Sequence, residues 1–200
     1  MARRRLRQIL MVLPIALLVI VGMPTSAAAG PDHRTVRASD DCDPATFNAT
    51  FGPNTCVGDG RTTVDEFVGQ ILANGYRANE SVEDWDFSRQ EFDIDKGGRL
   101  TVENRGGEFH SFTEVADFSK GGCIAGLNAL LGPLGLAGPP LAPGDICPAD
   151  LNDFAAVGAA LAPTGVLPGS SRTFGRLTPG VHHFQCLIHP WMQSTAIVEG

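Results

Sequence analysis

Near the C-terminus the chain reads FQCLIHPWMQS (184–194), which places Cys186, His189 and Met192 at C-x2-H-x2-M spacing. These are three soft or borderline metal donors within seven residues. The preceding run VHHFQC reads as a strand, so His182, Phe184 and Cys186 share one face and His183 and Gln185 the other. Phe184 marks the inner face, and Cys186 therefore points inward at the strand's end. His189 and Met192 lie in the loop that follows, where a tight turn can wrap them around one ion. A fourth donor has to come from elsewhere. His110 in GGEFHSFT is the best candidate, because it follows a glycine-rich turn at the start of a strand-like run. Two imidazoles and one thiolate with a weak thioether form the donor set of a mononuclear type 1 (blue) copper centre. The thiolate favours Cu(I), imidazole accepts either oxidation state, and the thioether tunes the balance. Two other readings stay open on the residues alone. Zinc could use His110, Cys186 and His189, although methionine is a poor zinc ligand. Cys186 could also be a buried free thiol.

The elements that must position these donors are short strands. In WDFSRQEFDIDKGGRLTVENRGG, Phe92 and Ile94 alternate with acids, KGG turns the chain, and Leu100 and Val102 alternate again, which predicts a hairpin. FHSFTEV, SSRTFGRL, VHHFQC and STAIVEG add further strand-like runs. Short strands joined by polar turns indicate an all-β sandwich or barrel. The run TVDEFVGQILANG (63–75) fits a helical face or a strand, and the first strand of the domain is expected within 61–77. Residues 30–60 are polar and turn-rich and read as a flexible N-terminal segment with a small disulfide loop. Residues 118–169 are rich in Gly, Pro, Leu and Ala and read as an insertion with short helical turns, one of them capped by Asp150 or Asn152. His182 is expected to pack as a hydrogen-bonded residue, and His183 to face solvent.

The N-terminus has a basic MARRRLRQ, an apolar ILMVLPIALLVIVGM and a small-residue PTSAAAG. That is the pattern of a cleaved signal peptide over residues 1–29, and it predicts a secreted or periplasmic protein. Cleavage would remove four arginines and no acid, leaving 11 basic against 22 acidic side chains. So acidic a chain excludes nucleic acid as a partner, because phosphate contacts need clustered cations. The cysteines are Cys42, Cys56, Cys123, Cys147 and Cys186, an odd number. In an oxidising compartment the simplest partition is two disulfides and one functional thiol at Cys186. Four cysteines allow three pairings, of which sequence neighbours Cys42 with Cys56 and Cys123 with Cys147 form one.

These motifs together resemble the cupredoxins, the small blue copper proteins. The pattern of a strand ending in N, then H-x-F, is followed much later by P-G-x-x-x-F-x-C-x-x-H-x-x-M. The loop CLIHPWM is similar to the short ligand loop of amicyanins, where proline also follows the histidine. The resemblance covers about residues 85–117 and 168–200. It implies a Greek-key β-sandwich over 61–200 with 118–169 inserted, and His110, Cys186, His189 and Met192 as ligands of one type 1 copper. It also implies one-electron transfer between redox partners, with no enzymatic activity, by a monomer. Partners would dock on an apolar patch near Pro190 and Trp191, where members of the family bring the loop histidine's edge to the surface. Ser111 stands where many members have an asparagine that ties the two ligand loops together. Ile188 stands where plastocyanins and amicyanins have proline, and so keeps an amide N–H able to reach the Cys186 sulfur. The alternatives to electron transfer are an extracytoplasmic copper carrier or buffer and a non-redox metal-binding interaction domain.

Overall fold

The computed structural model describes residues 32–134 and 146–200. The proposed signal segment and part of the 118–169 insertion lie outside these residues. Among the described residues, no helix is long and apolar enough to cross a membrane.

Two four-stranded sheets face each other. The first has the order β2 (Asp86–Phe87), β1 (His33–Ser39), β4 (Arg99–Asn104), β8 (Ser171–Phe174). The second has the order β3 (Glu91–Ile94), β10 (Gln193–Val198), β9 (Gly180–Gln185), β6 (Thr113–Val115). A third, two-residue pair joins β5 (His110–Ser111) to β7 (Gly165–Val166). Each long strand alternates as a half-buried strand must. Val36 and Ala38 of β1, Leu100 and Val102 of β4, Ile94 of β3 and Ala196 of β10 turn inward and are almost fully buried. Phe112, between β5 and β6, stacks on Phe184 of β9 with centroids 4.4 Å apart, and Phe87 and Phe174 meet its other sides. The expected all-β sandwich is therefore present, with both sheets contributing to one core.

Four expectations need correction. Residues 33–39 are no flexible tail: they form β1, which runs parallel to β4 in register Val36↔Val102 and sits inside its sheet. The hairpin expected over 91–102 is not one. β3 pairs with β10 and β4 with β1 and β8, so the turn at Gly97 (φ 78°) carries the chain from one sheet to the other. The alternation was right, but it cannot tell a partner across a turn from a partner across the core. The first strand is not within 61–77, because Val64–Asn74 is a helix, α2. Its start is a capping box in which Thr63 accepts from the Glu66 amide while Glu66 accepts from the Thr63 amide. Finally, the insertion cannot run to residue 169, because β7 within it is the strand that pairs with His110 (His110↔Val166).

The helices form a layer on the end of the sandwich that carries His110. α1 (Pro44–Phe51) starts at Asp43, whose carboxylate accepts from the Ala45 and Thr46 amides, with Pro44 at the first helical position. The Cys42–Cys56 disulfide closes its loop. α3 (Ala125–Leu131) and α4 (Phe154–Leu161) belong to the inserted region and are held by Cys123–Cys147. Cys123, Cys147, Val157 and Leu161 form a second small core with Leu187 of the donor loop.

Candidate metal centre

Three of the four predicted donors converge. His110 Nδ1 lies 3.9 Å from Cys186 Sγ, and His189 Nδ1 lies 4.0 Å from the same sulfur. One donor atom from each of the three residues falls within 4.8 Å of the others. A trigonal ion with bonds of roughly 2.0 Å to nitrogen and 2.3 Å to sulfur holds such donors about 3.7 Å apart, so the spacing suits a single ion. Cys186, His110 and Met192 are fully buried, and His189 is 2 % exposed. The loop is closed by backbone: the Met192 amide donates to the His189 carbonyl and the Cys186 amide to the Met192 carbonyl. Met192 is thereby brought back beside the residue where the loop began.

Each imidazole is backed by a buried carboxylate. His110 Nε2 lies 2.7 Å from Asp40 Oδ2, and His189 Nε2 lies 3.4 Å from Glu108 Oε2. With Nδ1 aimed at the sulfur and Nε2 at a carboxylate, each ring is oriented by its second nitrogen. Asp40 is itself fixed by the amides of Gly107 and Glu108, and Glu108 by the Trp85 indole N–H at 2.8 Å. The glycine pair in RGGEF is explained by this approach. A Cβ on Gly106 would fall 1.8 Å from Asp40 Oδ2, and one on Gly107 would fall 2.1 Å from the Val57 carbonyl oxygen. Asp40 and Glu108 also approach the sulfur of Cys42, which is spent in a disulfide and offers no thiolate.

The electrostatics follow from burial and partners. Burial alone would push the Cys186 thiol up, but the hydrogen bonds and charge of the two imidazoles hold it well below its usual value. Burial would lower His110, but Asp40 and Cys186 outweigh it and raise the ring to about 10. Burial also opposes ionisation of Asp40, and the His110 ring with the Glu108 and Gly107 amides wins, bringing it to about 2. Glu108 is raised, chiefly by burial. A thiolate and two oriented imidazoles suit a soft or borderline cation.

Ser111 takes over the task that the resemblance gave to asparagine. Its Oγ accepts from the Leu187 amide at 2.8 Å, which joins β5 to the donor loop. The Leu187 carbonyl in turn accepts from the Cys123 amide, so the insertion is bonded to the same residue of the loop. Among the described residues, the hydrogen-bond-distance neighbours of Cys186 Sγ are the two ring nitrogens, not the Ile188 amide. His182 is hydrogen-bonded to Glu114 and the Thr178 carbonyl, away from the donors, and half-buried His183 packs on Phe118.

The apolar docking patch at Pro190 and Trp191 is not at the surface. Trp191 is fully buried, and Pro190 is buried with it. α2 covers them: Phe67 lies 5.9 Å from Trp191 and 6.2 Å from the His189 ring, measured between centroids. A compact sandwich would leave this end open, whereas here the N-terminal helices close it.

Reading the sequence alone missed the carboxylates Asp40 and Glu108 and the two residues that hold the loop from outside. Tyr76 donates its hydroxyl to the Pro190 carbonyl at 2.9 Å. The Asn79 side chain bonds both the amide and the carbonyl of Gln193. Asp40 lies 70 residues before His110, and only the pairing of β1 with β4 brings them together. One local signal existed: Glu108 stands two residues before His110, so strand alternation places both on one face.

No family model matches the sequence, and no curated protein does. Among solved structures, the chain is similar to a reduced Cu(I) form of an amicyanin variant, at 17 % identity and TM-score 0.32, over 57 % of this chain and 73 % of that one. It is also similar to a purple cupredoxin from Nitrosopumilus maritimus, at 13 % identity and TM-score 0.33, over 59 % and 86 %. At such identities and scores the likeness carries no argument about function, which rests on the geometry of this chain.

Proposed function

We propose that the chain binds one copper ion through His110, Cys186, His189 and Met192 and passes single electrons between redox partners. Copper held there would supply a Cu(I)/Cu(II) couple. The observation that carries the reading is the pair of Nδ1 atoms at 3.9 and 4.0 Å from one buried sulfur. The chain's own part is to hold those donors still. Asp40 and Glu108 orient the rings, Ser111 clamps the loop, and the surrounding core excludes water. A centre that does not rearrange between oxidation states exchanges electrons with little reorganisation. Delivery of copper would instead need a loop that opens, and a loop with Trp191, Met192 and Cys186 fully buried is poorly suited to it. The two disulfides fit an oxidising compartment outside the cytoplasm.

The test is the spectrum and voltammetry of the copper-loaded protein. An intense visible sulfur-to-Cu(II) band, lost in Cys186→Ser, together with a reversible one-electron wave is the expected result. A colourless protein that takes up zinc and copper alike would remove this reading.

A further inference from the structure

Between the N-terminal helices and the inserted helices lies a cleft of about 530 Å³. Phe47 and Phe67 line it from α1 and α2, Leu127 and Leu130 from α3, and Val157 from α4. Exposed Phe51 and Phe154 stand at its edge with exposed Asn54 and Asn152. Its buried polar residues are Glu108 and His189. The volume is that of a small-ligand site, and mostly apolar walls with a few convergent polar groups are what such sites have.

We infer that this cleft binds a small, uncharged aromatic compound bearing a hydroxyl group, with the rings among the phenylalanines and the hydroxyl on the Glu108 carboxyl. Aromatic walls favour a flat apolar body. An anionic ligand would have to be desolvated there beside the Glu108 carboxyl, with no Lys or Arg in the lining to receive it. Glu108 uses Oε2 toward Trp85 and His189 and keeps 9 % of its side chain exposed. A hydroxyl can donate to a carboxylate or accept from a carboxylic acid, so recognition holds for either form of Glu108. The insertion supplies nearly half of the walls, which gives it a purpose beyond covering the donor loop. Two glycines leave the cleft open: a Cβ on Gly126 of α3 or Gly158 of α4 would meet nothing within 4 Å.

The experiment is calorimetric titration of the full chain, with and without copper, using 1-naphthol and naphthalene as probes. Saturable binding of 1-naphthol at one site is expected in both forms, so the result does not depend on the metal reading. Naphthalene should bind about tenfold more weakly, the worth of one buried hydrogen bond. Gly158→Leu fills the cleft and should weaken 1-naphthol at least about tenfold. It should not lower the melting temperature, since leucine is the better helix former. Gly126→Leu on the facing wall is the second variant. No saturable binding, equal binding of the two probes, or binding unchanged in both leucine variants would overturn the inference. Binding of a redox protein that both leucine variants abolish, without any binding of 1-naphthol, would also overturn it and would make the cleft a docking groove.

Discussion

Asp40 and His110 meet at 2.7 Å in the core, the carboxylate at Nε2 of the ring whose Nδ1 turns to Cys186. A buried negative charge behind a ligand raises the ligand's basicity and favours the more highly charged metal. Asp40→Asn keeps the shape and the hydrogen bond but removes the charge. Copper affinity should fall by about 10- to 100-fold. The loss should fall mostly on Cu(II), so the potential should rise, by about 59 mV for each tenfold difference between the two oxidation states. Competition with a chelator and voltammetry read the two effects separately. A variant with wild-type potential would reduce Asp40 to a structural residue.

The same pair sets the acid stability of the metal-free protein. The folded-state value of Asp40, about 2, lies below its ordinary 3.8, so ionisation favours folding. That contribution is complete above about pH 4 and is lost as pH falls through 2. His110 moves the other way, from 6.5 to about 10, so its contribution is complete below 6.5 and is lost as pH rises through 10. The rise of His110 includes Cys186 as a partner, so Asp40 is the cleaner measure of the pair. Its shift corresponds to roughly 2 kcal/mol. Urea unfolding of the metal-free protein should show that loss between pH 4 and pH 2, and Asp40→Asn should not show it.

The convergence of His110, Cys186 and His189 and the sandwich were legible because both are written locally. C-x2-H-x2-M falls in one loop, strand alternation shows which way Cys186 points, and His110 opens a strand behind two glycines. The surroundings of the site were not legible, because they are assembled at long range. Residues 30–60 carry too few apolar side chains to announce a strand, yet Val36 and Ala38 are enough once β4 lies beside them. The burial of Trp191 depends on α2, whose own period was ambiguous over one short segment. The hairpin error has the same source: alternation specifies a face, and only the partner strands specify the sheet.

Ser111 offers a test of the loop clamp that does not involve the metal. Its hydroxyl is fully buried and accepts from the Leu187 amide, which has no water to turn to if the hydroxyl is removed. Ser111→Ala should therefore cost about 1–3 kcal/mol, the penalty for a buried donor left unpaired. Thermal unfolding of the metal-free protein measures it. Ser111→Asn, which restores an acceptor, should recover part of the loss if the longer side chain fits. An alanine variant as stable as the parent would mean that the loop is held by Cys123 and the core alone.

Met192 separates electron transfer from simple metal binding. It is fully buried, and its backbone is fixed to both Cys186 and His189. Leucine has nearly its volume, so Met192→Leu should cost less than about 1.5 kcal/mol and leave the sandwich intact. Copper should stay, because the thiolate and the two imidazoles supply most of the affinity. The visible band should stay too, since it arises at the sulfur of Cys186. A weak thioether donor stabilises Cu(II) more than Cu(I), so its loss should raise the potential. A protein that only stores or carries copper has no use for such graded control. Voltammetry of the copper-loaded variant against the parent decides the matter: a raised potential with colour retained places Met192 at the metal. An unchanged potential with the same colour would leave three ligands and make Met192 part of the core alone.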